Sequence, residues 1–223
     1  AVLQESVRGL DIDPCGTYVD ATFGGGGHSR AIMEHLGPEG RLLGFDQDMD
    51  AWQNRLDDKR FTFVHGNFAF LRNYLRYYGE DRVDGILADL GVSFHHFDDA
   101  SRGFSFRADG KLDMRMNQNS PVDASRIIAE SSEDQLADMF HLLGELKQAR
   151  RLAHAIAETR LQSPITTTTQ LADVVRPFLR PNQEKKELAQ VFQALRIQVN
   201  HEIDALRRLL TQSLQVLRPG GRL

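Results

Sequence analysis

The run Asp20-Ala21-Thr22-Phe23-Gly24-Gly25-Gly26-Gly27-His28-Ser29 constrains the fold of this chain more than any other segment. It follows a β-type stretch, Thr17-Tyr18-Val19, and leads into a helical pattern over residues 29–36. Strand, glycine turn and helix, in that order, bring bare backbone against a bound cofactor in an α/β sheet. A glycine run alone is only a flexible turn. Here the next strand ends in Asp46. That is roughly 20 residues beyond the glycines, the spacing at which a carboxylate grips ribose hydroxyls.

The same alternation continues. Residues 17–23, 41–46, 61–65 and 83–89 read as strands, the last ending in Asp89, with helices expected over 50–56 and within 70–78. Strands alternating with helices at this spacing give a parallel, doubly wound, Rossmann-like sheet. From Asp98 the character changes. Residues 102–107 and 112–116 are loop-like and carry arginines, and helical patterns without strands follow. Ser132-Glu133-Asp134-Gln135 and Thr167-Thr168-Thr169-Gln170 have the capping-box form that opens a helix. Between them, residues 148–161 form a helix with a basic outer face, and Pro177 and Pro181 end the last one. Residues 98–186 therefore read as an all-helical insertion, and residues 1–97 with 187–223 as the sheet-bearing core. One long helix is expected over 188–217, with Val191, Leu195, Val199, Ile203, Leu206 and Leu210 packed against the sheet. The ending Arg218-Pro219-Gly220-Gly221-Arg222-Leu223 reads as a turn towards a strand that lies beyond it. Both ends are expected to be cut, with the last strands missing.

No apolar run approaches the roughly 20 residues that span a bilayer, and no signal peptide opens the chain. The single cysteine, Cys15, fits a reducing cytoplasm, the expected location. A net charge of −4 argues against nucleic-acid binding by bulk electrostatics, but not against a local basic face.

Nicotinamide, flavin and S-adenosyl-L-methionine all fit a glycine loop followed by an acid on strand two. Gly-Gly-Gly-Gly-His lacks the G-x-G-x-x-G spacing that seats a pyrophosphate at a helix start, and no Gly-Lys-Ser/Thr follows to make a P-loop. S-adenosyl-L-methionine carries no phosphate and needs only close backbone approach, so the irregular loop favours it. Asp46 would then hold the ribose hydroxyls, Phe68 cover the adenine, and Asp89 stand at the mouth of the crevice.

These residues belong to longer strings that resemble the RsmH (MraW) family of bacterial 16S rRNA cytosine-N4 methyltransferases. The strings are Tyr18 to Arg30, Asp89-Leu90-Gly91-Val92-Ser93, Asp98-Asp99-Ala100-Ser101-Arg102-Gly103-Phe104-Ser105-Phe106, Leu112-Asp113-Met114-Arg115-Met116 and Phe192-Gln193-Ala194-Leu195-Arg196-Ile197. The resemblance covers nearly the whole chain. It implies a class I S-adenosyl-L-methionine-dependent methyltransferase whose helical insertion follows strand four. The implied activity is methylation of a cytosine amine in the decoding region of 16S rRNA in the small ribosomal subunit. It also implies cofactor contacts at Gly26, Gly27, His28, Asp46, Phe68, Asp89 and His96, the last where the family usually has glutamine. Asp89 is the expected catalytic acceptor, and the family string Ser-Phe-His-Ser-Leu-Glu-Asp-Arg is expected beyond Leu223. Arg102, Arg107 and Arg115 are the expected RNA phosphate contacts, with Lys147, Arg150, Arg151 and Arg160 a second basic set. His95, His96, Asp98 and Asp99 look like metal ligands, but consecutive residues rarely converge on one ion, so no metal is expected. A homodimer is compatible with the sequence and not required by it. The rival readings are a methyltransferase for small molecules or proteins, and a non-catalytic cofactor-binding module.

Overall fold

The protein is described here from a computed structural model, over residues 2–91 and 99–223. Five strands run β1 Thr17–Asp20, β2 Arg41–Asp46, β3 Phe61–His65, β4 Val83–Leu87 and β5 Leu217–Arg222. The helices are α1 Leu3–Gly9, α2 Gly27–His35, α3 Leu71–Tyr77, α4 Ala124–Glu130, α5 Glu133–Leu142, α6 Ala149–Gln162, α7 Thr168–Val175, α8 Glu184–Val199 and α9 Glu202–Val216. The chain divides into two compact units, Ala1–Ser93 with Ile203–Leu223, and Phe94–Glu202.

The first unit holds one parallel sheet in the order β3-β2-β1-β4-β5. Its central strands are buried on both faces, so they read as continuous apolar runs rather than alternating ones. Val7, Ile32, Met33, Leu36 and Leu42 belong to one core layer. Val19, Phe45, Leu71, Leu75, Leu209 and Val216 belong to the other. Because β1 lies between β2 and β4, the strand order reverses there. In open α/β sheets that switch point, at the carboxyl ends of the strands, is where ligands bind.

Three expectations for this unit need correction. The C-terminal segment is itself the fifth strand: β5 pairs with β4 from Val83↔Leu217 to Gly85↔Arg222 across a register shift. Ion pairs of Arg218 with Asp84, and of Arg222 with Asp11, hold it. Residues 49–54 form a 3₁₀ helix rather than an α-helix, entered through the Asp48 carboxylate, which accepts from the Asp50 N–H at 3.0 Å. The long helix expected over 188–217 is two helices, α8 and α9, separated by Asn200 and His201, the latter at φ 50°. The Asn200 side chain accepts from Met116 N–H at 2.8 Å and donates to the Met114 carbonyl at 2.8 Å. The break resets the helical phase. Val191, Leu195 and Val199 are buried, but Ile203 and Leu210 are 39% and 47% exposed, and Ala205, Leu209, Ser213 and Val216 turn inward instead.

The second unit is helical. Both capping boxes form, at Ser132 with Gln135 and at Thr167 with Gln170. Helix α8 packs on α4 and α5. The compact sheet unit accordingly resumes at Ile203, not at residue 187. The loop Leu112-Asp113-Met114-Arg115-Met116 runs through the interior, burying Leu112, Met114 and Met116. Leu112 N–H donates to the Thr166 carbonyl at 2.9 Å, and Thr168 N–H to the Gly110 carbonyl at 2.9 Å, fixing the loop against the start of α7.

Candidate functional site

The strand ends of the first unit meet through a few backbone bonds. Ala21 N–H donates to the Leu87 carbonyl at 2.7 Å and Phe23 N–H to the Phe45 carbonyl at 2.8 Å, so the chain leaving β1 is tied to β4 and to β2. Beneath the glycines, Phe23 packs on Phe61 and Phe63 with ring centroids 5.3 and 5.4 Å apart. Gly26 caps α2 at φ 74°, and a Cβ there would meet Phe23 Cζ at 2.9 Å, so glycine is dictated by the chain itself. Gly25 and Gly27 differ. Neither has a left-handed φ, and a Cβ on either would meet nothing within 4 Å. Packing does not demand glycine at these two positions; open space over bare backbone is what a closely approaching ligand uses.

His28 follows the glycines, and its Nε2 is buried with no hydrogen-bond partner among the described residues. A buried polar atom left so costs stability unless something else meets it. Asp46, at the end of β2, accepts from Gly24 N–H at 2.8 Å and from Asp48 N–H at 2.9 Å, which orient its carboxylate. Phe68 stands half-buried after β3, where Asn67 caps a short 3₁₀ turn by accepting from Ala69 N–H at 2.8 Å. Asp89 is exposed past the end of β4, and its N–H donates to Thr22 Oγ1 at 2.8 Å. His96 lies outside the described residues, as do His95 and Asp98.

Sequence reasoning missed the residues that brace the loop. Asp20 is completely buried, accepting from Ser29 Oγ at 2.7 Å and from Thr22 N–H at 3.1 Å, which locks the end of β1 to the first turn of α2. Burial pushes its carboxyl above the ordinary value, against the hydrogen bonds that favour the charge. Arg30 donates to the Gly25 carbonyl at 2.6 Å and the Asn54 carbonyl at 3.0 Å, while Asn54 Nδ2 donates to the Gly24 carbonyl at 3.1 Å. Ser29, nine positions after Asp20, is a legible signal for the first contact; nothing local marks Asn54.

In the second unit, two of the three arginines expected to meet phosphate are used internally. Arg102 is 6% exposed and donates to the carbonyls of Arg115 at 2.9 Å and Met116 at 3.4 Å. Arg115 forms a two-pronged pair with Asp113 at 2.7 Å on each side and donates to the Gln118 and Ser120 carbonyls at 3.0 and 2.7 Å. An irregular buried loop leaves carbonyls without partners, and a guanidinium with five donors supplies them. Arg107 alone of the three is exposed. Arg160, of the second basic set, closes the end of α4 through the Ile128 and Ser131 carbonyls at 2.6 and 2.7 Å.

Among the described residues no group of three or more His, Cys, Asp or Glu is placed to hold a metal ion, and no helix is long and apolar enough to cross a membrane. The profile of the MraW methylase family matches residues 1–223. Curated proteins are similar throughout. Ribosomal RNA small subunit methyltransferase H of Bacteroides fragilis (strain YCH46) is 54% identical over 222 residues, covering 100% of this chain and 73% of its own. The protein of the same name from Parabacteroides distasonis is 57% identical over 223 residues, with 100% and 73% covered. That from Porphyromonas gingivalis (strain ATCC 33277) is 56% identical over 225 residues, with 100% and 72% covered. A parallel five-stranded α/β sheet and a family match along its whole length lead to one conclusion: this chain belongs to the MraW methylase family.

Proposed function

We propose that the protein transfers a methyl group from S-adenosyl-L-methionine to the exocyclic amine of a cytosine in the decoding region of 16S rRNA, acting on the small ribosomal subunit. The observation that carries the reading is similarity over the entire chain to proteins named as small-subunit rRNA methyltransferases. The site supports the cofactor: open space above Gly25 and Gly27, a buried His28 Nε2 without partner among the described residues, and an oriented carboxylate at Asp46 suit a phosphate-free nucleoside. When bound, that cofactor supplies an electrophilic methyl group on a sulfonium.

Gly26, Gly27 and His28 would then face the amino-acid part, Asp46 the ribose hydroxyls and Phe68 the adenine; His96 is assigned to the cofactor by family resemblance. The amine of cytosine is conjugated with its ring, so its lone pair is a poor nucleophile. A group that accepts hydrogen bonds from the NH2 lets that lone pair turn towards the methyl as positive charge develops. Asp89, held by Thr22 past the end of β4, is the proposed acceptor. Arg107 is the proposed phosphate contact of the loop region, and the target base must be splayed out of its stack to react.

Methyl transfer from labelled cofactor to small-subunit particles, with the modified cytosine mapped, tests the reading. Asp89→Ala is expected to lower the rate at saturating cofactor by on the order of 10²-fold. Wild-type transfer by that variant would remove Asp89 from the mechanism. Activity on free metabolites but not on ribosomal particles would overturn the substrate.

A further inference from the structure

Where the chain leaves β1, four consecutive backbone N–H groups are fixed. Ala21 donates to the Leu87 carbonyl at 2.7 Å, Thr22 to Asp20 Oδ1 at 3.1 Å, Phe23 to the Phe45 carbonyl at 2.8 Å and Gly24 to Asp46 Oδ2 at 2.8 Å. Asp20 is completely buried, and its second carboxylate oxygen accepts from Ser29 Oγ at 2.7 Å. The backbone around Thr22 is thereby tied to β4, to β2 and to the first turn of α2. A β-branched side chain on a fixed backbone has few χ1 choices. The strand ends therefore dictate where the Thr22 hydroxyl points, and it accepts from Asp89 N–H at 2.8 Å.

Asp89 depends on that bond. It is exposed past the end of β4, and among the described residues the bond to Thr22 is its only hydrogen bond or ion pair. Packing supplies no second anchor in its neighbour, since Leu90 is 48% exposed. An unpaired carboxylate is what the proposed chemistry needs, but an acid anchored at one point owes its position to that point. A merely local turn does not account for the contact. Its partners lie 67 positions apart, and it joins the root of the glycine turn to the acid beyond the adjacent strand, at the switch point of the sheet.

We propose that Thr22 is a positioning residue for methyl transfer: its hydroxyl places the Asp89 carboxylate for the reacting amine and couples that placement to the glycine turn that seats the cofactor. The assignment rests on the reading of Asp89 as hydrogen-bond acceptor given above. Thr22 acts through Asp89 and not on the reacting atoms. An acceptor displaced by a fraction of an ångström loses its alignment with the charge that develops in the transition state, so the cost falls on the rate rather than on binding of the RNA.

The test is the rate of methyl transfer to small-subunit particles at saturating cofactor, in Thr22→Val, Thr22→Ser, Asp89→Ala and the double variant of Thr22→Val with Asp89→Ala. Valine keeps the shape and branching of threonine but cannot accept a hydrogen bond. It is expected to lower the maximal rate on the order of 10-fold, with the half-saturating particle concentration within about twofold of wild type. Serine keeps the acceptor and should recover most of the rate. The double variant should be no slower than Asp89→Ala alone, because a tether without a carboxylate positions nothing. Thr22→Ala, which removes the hydroxyl without adding a methyl, serves as a second arm should valine disturb folding, and is expected to behave in the same cycle as valine does. A wild-type rate in both Thr22→Val and Thr22→Ala would overturn the proposal. So would a serine variant as slow as valine with an equally lowered thermal midpoint, which would mark a packing role. If the two losses multiply in the double variant, Thr22 acts independently of Asp89 and the proposal falls while the reading of Asp89 stands. A wild-type rate in Asp89→Ala would instead remove the reading of Asp89, and the role of Thr22 with it.

Discussion

At the strand ends of the sheet unit stand three acids: the Asp20 and Asp46 carboxylates accept backbone or hydroxyl hydrogen bonds, and Asp89 is anchored through its own backbone N–H to Thr22. In the helical unit Arg107, Lys147, Arg150 and Arg151 are exposed cations, and none of their side chains is fixed by a partner among the described residues. The proposed methyl donor bears a sulfonium, an ammonium and a carboxylate and so is a net cation; the proposed macromolecule is a polyanion. Each region has the sign that suits its ligand, and the overall charge of −4 averages the two into a figure that describes neither. The difference in restraint is equally informative. Group transfer needs atoms held to fractions of an ångström, while attraction between a cation and a phosphate tolerates looseness.

That contrast can be broken most directly where the helical unit spends its other arginines. Asp113→Ala leaves the Arg115 guanidinium, 19% exposed, without its carboxylate. It should cost about 3 kcal/mol in a urea unfolding measurement. A loss under half a kcal/mol, together with weakened RNA binding, would return Arg115 to the surface phosphate contacts. A smaller effect separates two glycines of the sheet unit. Gly26→Ala must hold a side chain at φ 74° against Phe23, and is expected to destabilise by roughly 1–2 kcal/mol. Gly27→Ala meets open space and should leave stability unchanged while reducing cofactor affinity in a titration. Equal stability losses at both positions would mean that the loop is shaped for its own packing alone.

The smallest effect is a change of slope. Because burial raises the folded-state carboxyl of Asp20 above its unfolded value, the folded protein holds that proton more tightly. Its contribution is therefore fully present below the ordinary carboxylate range and is lost as pH rises through the raised value. Asp20→Asn should flatten this part of the curve of unfolding free energy against pH. An identical slope in the variant would assign the pH dependence to other groups.

Much of the sheet unit was legible because its signals are local. Acid-ended apolar runs alternate with helices, and the glycine turn lies where such a fold needs it. The two capping boxes of the helical unit were legible for the same reason, since Ser132 with Gln135 and Thr167 with Gln170 complete their bonds within one turn. The break at Asn200 was not legible. An apolar spacing of three and four runs through it unaltered, and only the carbonyl and N–H of a loop some 84 to 86 positions earlier give Asn200 a reason to leave the helix. Arg102 and Arg115 were misread likewise: an arginine in a polar loop looks the same whether phosphate or a buried carbonyl awaits it.

The sequence by itself determined the alternating sheet, the helical insertion, the glycine turn with its downstream acids, and the family. Those features rest on contacts between near neighbours in the chain, and on strings uncommon enough to be diagnostic. Only the tertiary structure decided which charges are spent inside and which stand free, because pairing depends on what long-range folding brings alongside. It also decided that Gly26 serves the chain's own packing whereas Gly25 and Gly27 leave space open, since a glycine's purpose lies in what surrounds it.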